Sequence, residues 1–142
     1  MLRTLIERTR NLFDLRMNPH QRNEEPPYEF LSHSLGIRVP GAWDPFETSV
    51  CIVLGQLVSL EAARRIVQRL VERFGQPLPQ PHGPGLTHLF PTPQVLAKAD
   101  LSSVGLTRMR ASAVSSLARA VADGEIDLSQ ACDLTTTRAR LL

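Results

Sequence analysis

Site chemistry needs nucleophiles, acids, bases or metal ligands at workable spacing, and this 142-residue sequence offers few. Its four histidines, His20, His33, His82 and His88, fall in or beside loop-forming stretches. They share no ligand spacing, so no metal is expected. The two cysteines, Cys51 and Cys132, stand far apart. That arrangement fits neither a zinc site nor a disulfide framework, and a reduced, cytoplasmic protein is the expectation. Arginine supplies every cationic side chain except Lys98. Guanidinium forks match phosphate geometry better than ammonium groups do, and a codon-composition bias gives the same skew. Arg108 and Arg110 stand at a predicted helix start, where they could contact phosphate although their charges oppose the helix dipole. Solvated surface arginine is the alternative for both, as it is for the basic face formed by Arg64, Arg65, Arg69 and Arg73.

The elements that must position these residues are helical. Hydrophobic residues make up 42% of the chain and charged residues 21%, which supports one packed domain and excludes wholesale disorder. A net charge of +2 permits contact with nucleic acid without arguing for it. No apolar run approaches the roughly 20 residues that cross a bilayer. The first ten residues carry three arginines and no apolar h-region, so no signal peptide is expected.

Little β-branched alternation is present, and the expected fold class is all-α, an irregular helical bundle. A first helix is predicted over 2–15, followed by a polar, proline-bearing loop over 18–27 and a short helix over 28–35. Asp44-Pro45-Phe46-Glu47 has the form of a helix cap, with proline at the first helical position and glutamate three residues after the cap. The run 50–58 behind it is apolar on nearly every side, as in a buried central helix. Gly55 interrupts it, and Ser59 is placed to cap a helix in which Leu60, Ala63, Ile66, Val67, Leu70, Val71 and Phe74 keep i, i+3/i+4 spacing. Gly75 and Pro77 end that helix. A proline-rich loop is predicted over 76–91. Thr92-Pro93 opens a short helix, and Thr107 caps another bearing Met109, Ala113, Val114, Leu117 and Val121 and stopped at Gly124. A last helix is expected over 128–142. It closes on Leu141 and Leu142 without a polar cap, which fits either a final turn docked into the core or a chain cut within its domain.

Pro40-Gly41-Ala42-Trp43-Asp44-Pro45-Phe46-Glu47 and Leu54-Gly55-Gln56-Leu57-Val58-Ser59 together resemble the first helix pair of the alkylated-base DNA glycosylases. Within the helix–hairpin–helix superfamily, the similar group is the bacterial DNA-3-methyladenine glycosylase II type. Leu12-Phe13-Asp14-Leu15 with Asn18-Pro19, Phe90-Pro91-Thr92-Pro93, and Gly105-Leu106 before Arg110-Ala111 agree with it in order and spacing. The resemblance covers nearly the whole chain.

It implies a single but incomplete helical domain over 1–142. The reaction it implies is hydrolysis of the N-glycosidic bond of alkylated purines such as 3-methyladenine, with no metal or organic cofactor, on double-stranded DNA. A base inside a duplex must be rotated out of the stack before chemistry, at a cost of a few kcal/mol. An apolar wedge offsets part of that cost and keeps the duplex kinked. The resemblance places the wedge at Leu57, with Gln56 and Ser59 able to reach neighbouring bases or phosphates and Gly55 allowing close backbone approach. Read from the residues alone, Leu57 is one more core leucine. Trp43 suits packing against Phe46 better than stacking under a flipped base.

The same resemblance implies parts that these 142 residues do not match: the glycine-rich hairpin that holds a phosphate, the aspartate after it, the aromatic base pocket and an N-terminal β-rich lobe. Asp123, Glu125, Asp127 and Asp133 precede the place where that aspartate is expected. No catalytic residue is therefore assigned, and the chain alone is expected to release no base. The competing reading is a non-catalytic helical module that binds DNA or protein, or the remnant of a truncated gene. Self-association through an apolar C-terminal face accompanies either reading.

Overall fold

The computed structural model describes residues 2–16, 38–80, 83 and 85–128. The helix expected over 28–35, the loop before it and all but Leu128 of the last helix lie outside those residues. The chain divides into two compact units, Met1–Asp44 and Pro45–Leu142.

In the first unit, α1 runs over Leu2–Leu12, three residues shorter than the sequence pattern. The reason is Asp14, whose φ of 49° places it in the left-handed region. The Asp14 N–H donates to the Asn11 carbonyl and the Leu15 N–H to the Arg10 carbonyl, a Schellman closure with aspartate where glycine is usual. The Asp14 carboxylate then accepts from the Val39 N–H at 3.2 Å, and Leu12 O accepts from Gly41 N at 3.0 Å. Leu12-Phe13-Asp14-Leu15 is thus a helix stop that captures the segment after residue 38. The Arg8 guanidinium lies 5.7 Å from the centre of the Trp43 ring, a cation–π contact.

The second unit is built around α2 (Pro45–Gly55), α3 (Leu60–Phe74) and α5 (Arg108–Ala122), with a short α4 (Pro93–Leu96) against α5. Its core holds Val50 and Leu54 from α2, Leu70 from α3, Leu96 from α4 and Val114 and Ala118 from α5, all fully buried. Each large apolar side chain so placed contributes about 1.5–3 kcal/mol. Phe46 joins this core and meets Phe90 edge-on at 6.3 Å.

α2 is not the all-round buried helix that its composition suggests. α3 and α5 cover it on two sides, but Ile52 is 60% exposed. Ile52 borders a groove of about 430 Å³ shared with Ala113, Leu117, Ile126 and Leu128. Met109 is likewise 82% exposed rather than part of the buried stripe of α5.

Two further departures come from backbone hydrogen bonding. The proline-rich loop carries a two-residue antiparallel ladder, β1 (Gln76–Pro77) with β2 (His88–Leu89). Gly75, just before β1, ends α3 in an extended conformation. Its role is clearance, because a Cβ there would lie 2.4 Å from both the Leu89 and Val71 carbonyl oxygens. A 3-10 turn over Leu101–Val104 precedes α5, and Asp100 caps it by accepting from the Ser102 N–H at 3.1 Å and its hydroxyl at 2.6 Å. Those bonds hold the Asp100 carboxyl below its ordinary pKa. Thr92 precedes α4 as expected, with Pro93 in the first turn, but its side chain makes no capping bond.

Candidate nucleic-acid interface

The turn between α2 and α3 is built from four residues, Gln56, Leu57, Val58 and Ser59, with a distinct backbone task at each end. At its far end Ser59 is extended, and its hydroxyl accepts from the Ala62 N–H at 3.2 Å, which starts α3. At its near end the Gln56 carbonyl accepts from the Arg110 guanidinium at 2.6 Å. Between them Leu57 adopts φ of 57°, in the left-handed region. Its side chain is exposed to the full extent, 101% of the reference value.

Those two properties run against folding stability. A left-handed conformation costs a non-glycine residue roughly 1–2 kcal/mol, and an exposed leucine forgoes the roughly 1.5–3 kcal/mol that burial contributes. Leu57 is therefore not a core leucine. Strain of this kind persists where neighbouring structure over-determines it, and such sites concentrate at functional positions.

The tightness assigned to Gly55 is not found. A Cβ on Gly55 would have only Ala63 Cβ nearby, at 3.9 Å, an ordinary contact. The special conformation falls two residues later, on a side chain. Sequence reasoning had no means of seeing this, because glycine is the usual signal for a left-handed turn.

The remaining site residues separate by exposure and partner. Gln56 and Ser59 are exposed beside Leu57. Arg108 is exposed at the start of α5. Arg110 is partly buried; its own N–H donates to the Thr107 hydroxyl at 3.4 Å while its guanidinium reaches Gln56. The Arg110 side chain thus ties α5 to the turn across 54 residues of sequence. Leu60, 68% exposed, lies just past the turn and was assigned by its spacing to the buried stripe of α3. On the basic face of α3, Arg65 pairs with Glu61 of its own helix, while the Arg69 guanidinium lies beside Gly105. On that helix Gln68 also donates to Glu72 at 2.8 Å.

A second concavity, about 740 Å³, flanks the turn between α2, α3 and residues 85–88. Cys51, Gly55, Val58 and Leu60 form part of its wall. Cys51 is a free thiol whose pKa is raised, chiefly by burial and also by Glu47. Among the described residues no group of three or more histidine, cysteine, aspartate or glutamate side chains is placed to hold a metal ion.

Solved structures of similar shape are DNA glycosylases. MBOgg1 in complex with a low-affinity DNA ligand superposes at a TM-score of 0.67 with 22% identity, covering 100% of this chain and 51% of that one. The 8-oxoguanine glycosylase/lyase of Clostridium acetobutylicum, in complex with double-stranded DNA, gives 0.63 with 19% identity over 94% of this chain and 48% of its own. The 3-methyladenine DNA-glycosylase of Archaeoglobus fulgidus gives 0.52 with 21% identity, covering 81% and 42%. The fold is thus all-α and shares its shape with about half of each of these glycosylases. No protein-family model matches the sequence.

Sequence relatives narrow the group. The chain is 36% identical over 121 residues to DNA-3-methyladenine glycosylase 2 of Escherichia coli, covering 83% of this chain and 42% of that protein. It is 33% identical over 146 aligned residues to the probable bifunctional transcriptional activator/DNA repair enzyme AlkA of Mycobacterium tuberculosis, covering 99% of this chain and 29% of that protein. Over most of its own length the chain is thus homologous to part of proteins named as AlkA and DNA-3-methyladenine glycosylase 2. It spans well under half the length of these curated relatives.

Proposed function

We propose that the chain serves DNA base-excision repair by engaging double-stranded DNA that carries alkylated purines, with Leu57 entering the space left by a base rotated out of the stack. The observation that carries this reading is a fully exposed leucine held at φ of 57° in the turn between two packed helices. In water that side chain gains nothing. In a vacated base position it is sheltered between the neighbouring bases, which offsets part of the unstacking cost. Gln56 and Ser59 lie beside it for contacts to adjacent bases or phosphates, and Arg108, exposed at the α5 start, is available to a backbone phosphate.

The reaction served is hydrolysis of the N-glycosidic bond of an alkylated purine such as 3-methyladenine. This chain's share of it is distortion of the duplex. Stabilising the charge that develops as the base departs is a separate task, in which one group commonly supplies on the order of 10²-fold in rate, and no residue of these 142 is assigned to it. The 142-residue chain by itself is accordingly expected to release no base above a buffer control. A cytoplasmic location, where DNA is accessible and a free Cys51 stays reduced, belongs to the same proposal.

The decisive measurement is the affinity of Leu57→Ala for a short duplex containing an abasic-site analogue and for the same duplex intact. Removing a leucine that is sheltered only in the complex should weaken abasic-duplex binding about tenfold or more and leave intact-duplex binding nearly unchanged. Equal losses on the two duplexes would remove the wedge assignment.

A further inference from the structure

We infer that Arg110 is a positioning residue for the wedge, acting through the Gln56 carbonyl rather than on a phosphate. This rests on the reading of Leu57 given above and extends it to the device that holds that side chain out.

The argument begins with one peptide plane. The Gln56 carbonyl and the Leu57 N–H belong to the same rigid unit. Turning that plane changes ψ of residue 56 and φ of residue 57 together. The Arg110 guanidinium, 2.6 Å from the Gln56 oxygen, fixes where that oxygen points. It thereby holds Leu57 at φ of 57°, a conformation leucine leaves readily when nothing restrains it.

Charge placement supports the same conclusion. Arg110 lies in the first turn of α5, the positive end of that helix's dipole, where a cation is unfavourable. Its charged group instead reaches the carbonyl immediately beyond Gly55, the last residue of α2. That is the negative end of α2, where terminal carbonyls lack partners inside the helix and a cation is favourable. The arginine itself is anchored, because the Thr107 hydroxyl accepts its backbone N–H and α5 packs on both α2 and α4. A rigid helix start, a charged fork and one peptide plane thus connect the core to the exposed leucine.

The test is a double-mutant cycle on the 142-residue chain, with Leu57→Ala, Arg110→Met and both together. Binding is measured by anisotropy on an abasic-analogue duplex and on the intact duplex over a range of salt. A 2-aminopurine beside the abasic position reports insertion of the wedge. Arg110→Met should lower the abasic-over-intact preference by about the same tenfold factor as Leu57→Ala and restore 2-aminopurine quenching toward that of free DNA. Added to Leu57→Ala, it should change nothing further, because its effect passes through Leu57. Arg110→Lys keeps a cationic donor and should retain most of the preference, which covers the case in which the methionine variant fails to fold.

A phosphate contact gives a different pattern. Both duplexes then lose affinity equally, the losses add to those of Leu57→Ala, and the salt slope falls by about 0.9. That pattern overturns the inference while leaving the wedge standing. If Leu57→Ala alone leaves the preference unchanged, the wedge reading itself fails, and the role given to Arg110 fails with it.

Discussion

Two turns in the second unit solve the same problem with opposite residues. Before α3 the chain passes through a left-handed residue and then Ser59, whose hydroxyl caps the helix. Before α5 it passes through a left-handed residue and then Thr107, whose hydroxyl caps the helix. In the second turn the left-handed residue is Gly105, at φ of 78°, which has no Cβ to strain. In the first it is Leu57. The glycine version shows what a turn of this kind looks like when stability decides. The leucine version keeps a conformational penalty and a wet apolar side chain, and it sits where a charged fork from another helix holds its peptide plane. Strain that one turn avoids and its neighbour retains is what the proposed role of Leu57 in DNA binding accounts for.

Exchanging the residue types breaks the comparison most directly. Leu57→Gly should abolish the preference for abasic over intact duplex, a loss of about tenfold or more. At the same time it should leave the thermal midpoint unchanged or raise it by a few degrees, since relief of roughly 1–2 kcal/mol of strain opposes the greater freedom of glycine in the unfolded chain, worth about 0.4–1 kcal/mol. Scanning calorimetry beside the binding assay separates the two effects. A midpoint that drops on Leu57→Gly means that Leu57 contributes to the fold.

The reciprocal change, Gly105→Ala, should destabilise by roughly 1–2 kcal/mol. A Cβ there would lie 3.5 Å from Arg69 Nη2, an ordinary contact, so backbone strain rather than crowding sets the cost. Denaturant titration reads it directly, and an unchanged midpoint would mean that the turn relaxes.

The smallest expected effect is shared by the two caps. Ser59→Ala and Thr107→Ala should each cost about 1 kcal/mol. A Ser59→Ala variant that keeps its stability but loses affinity for DNA would make Ser59 a DNA contact first and a cap second.

Parts of this were legible before any coordinates. The stripe of α3, the proline at the start of α2, the threonine before α5 and the glycine after α5 each express a local rule, and local rules act on neighbours in sequence. The shortening of α1 was missed because aspartate, unlike glycine, does not announce a left-handed closure. The β1–β2 ladder was missed because it holds only two residues per strand and joins positions 76–77 to 88–89 across a proline-rich loop. Val50, Leu54 and Ile52 look alike in sequence. Only their neighbours distinguish them, leaving the first two fully buried and the third 60% exposed.

The helix ends and caps around the candidate site were legible as properties of short segments, but the wedge at Leu57 came only from the family resemblance, since residue types alone made it one more core leucine. Whether Leu57 faced the core or the solvent was a different kind of question. Its answer lay in how α2 and α3 pack, and beside it an arginine 54 residues away grips the carbonyl before Leu57. A hydrogen bond between residues that distant has no counterpart in periodicity or propensity. It exists only once the helices have packed, and under the role inferred for Arg110 it is what keeps the leucine projecting.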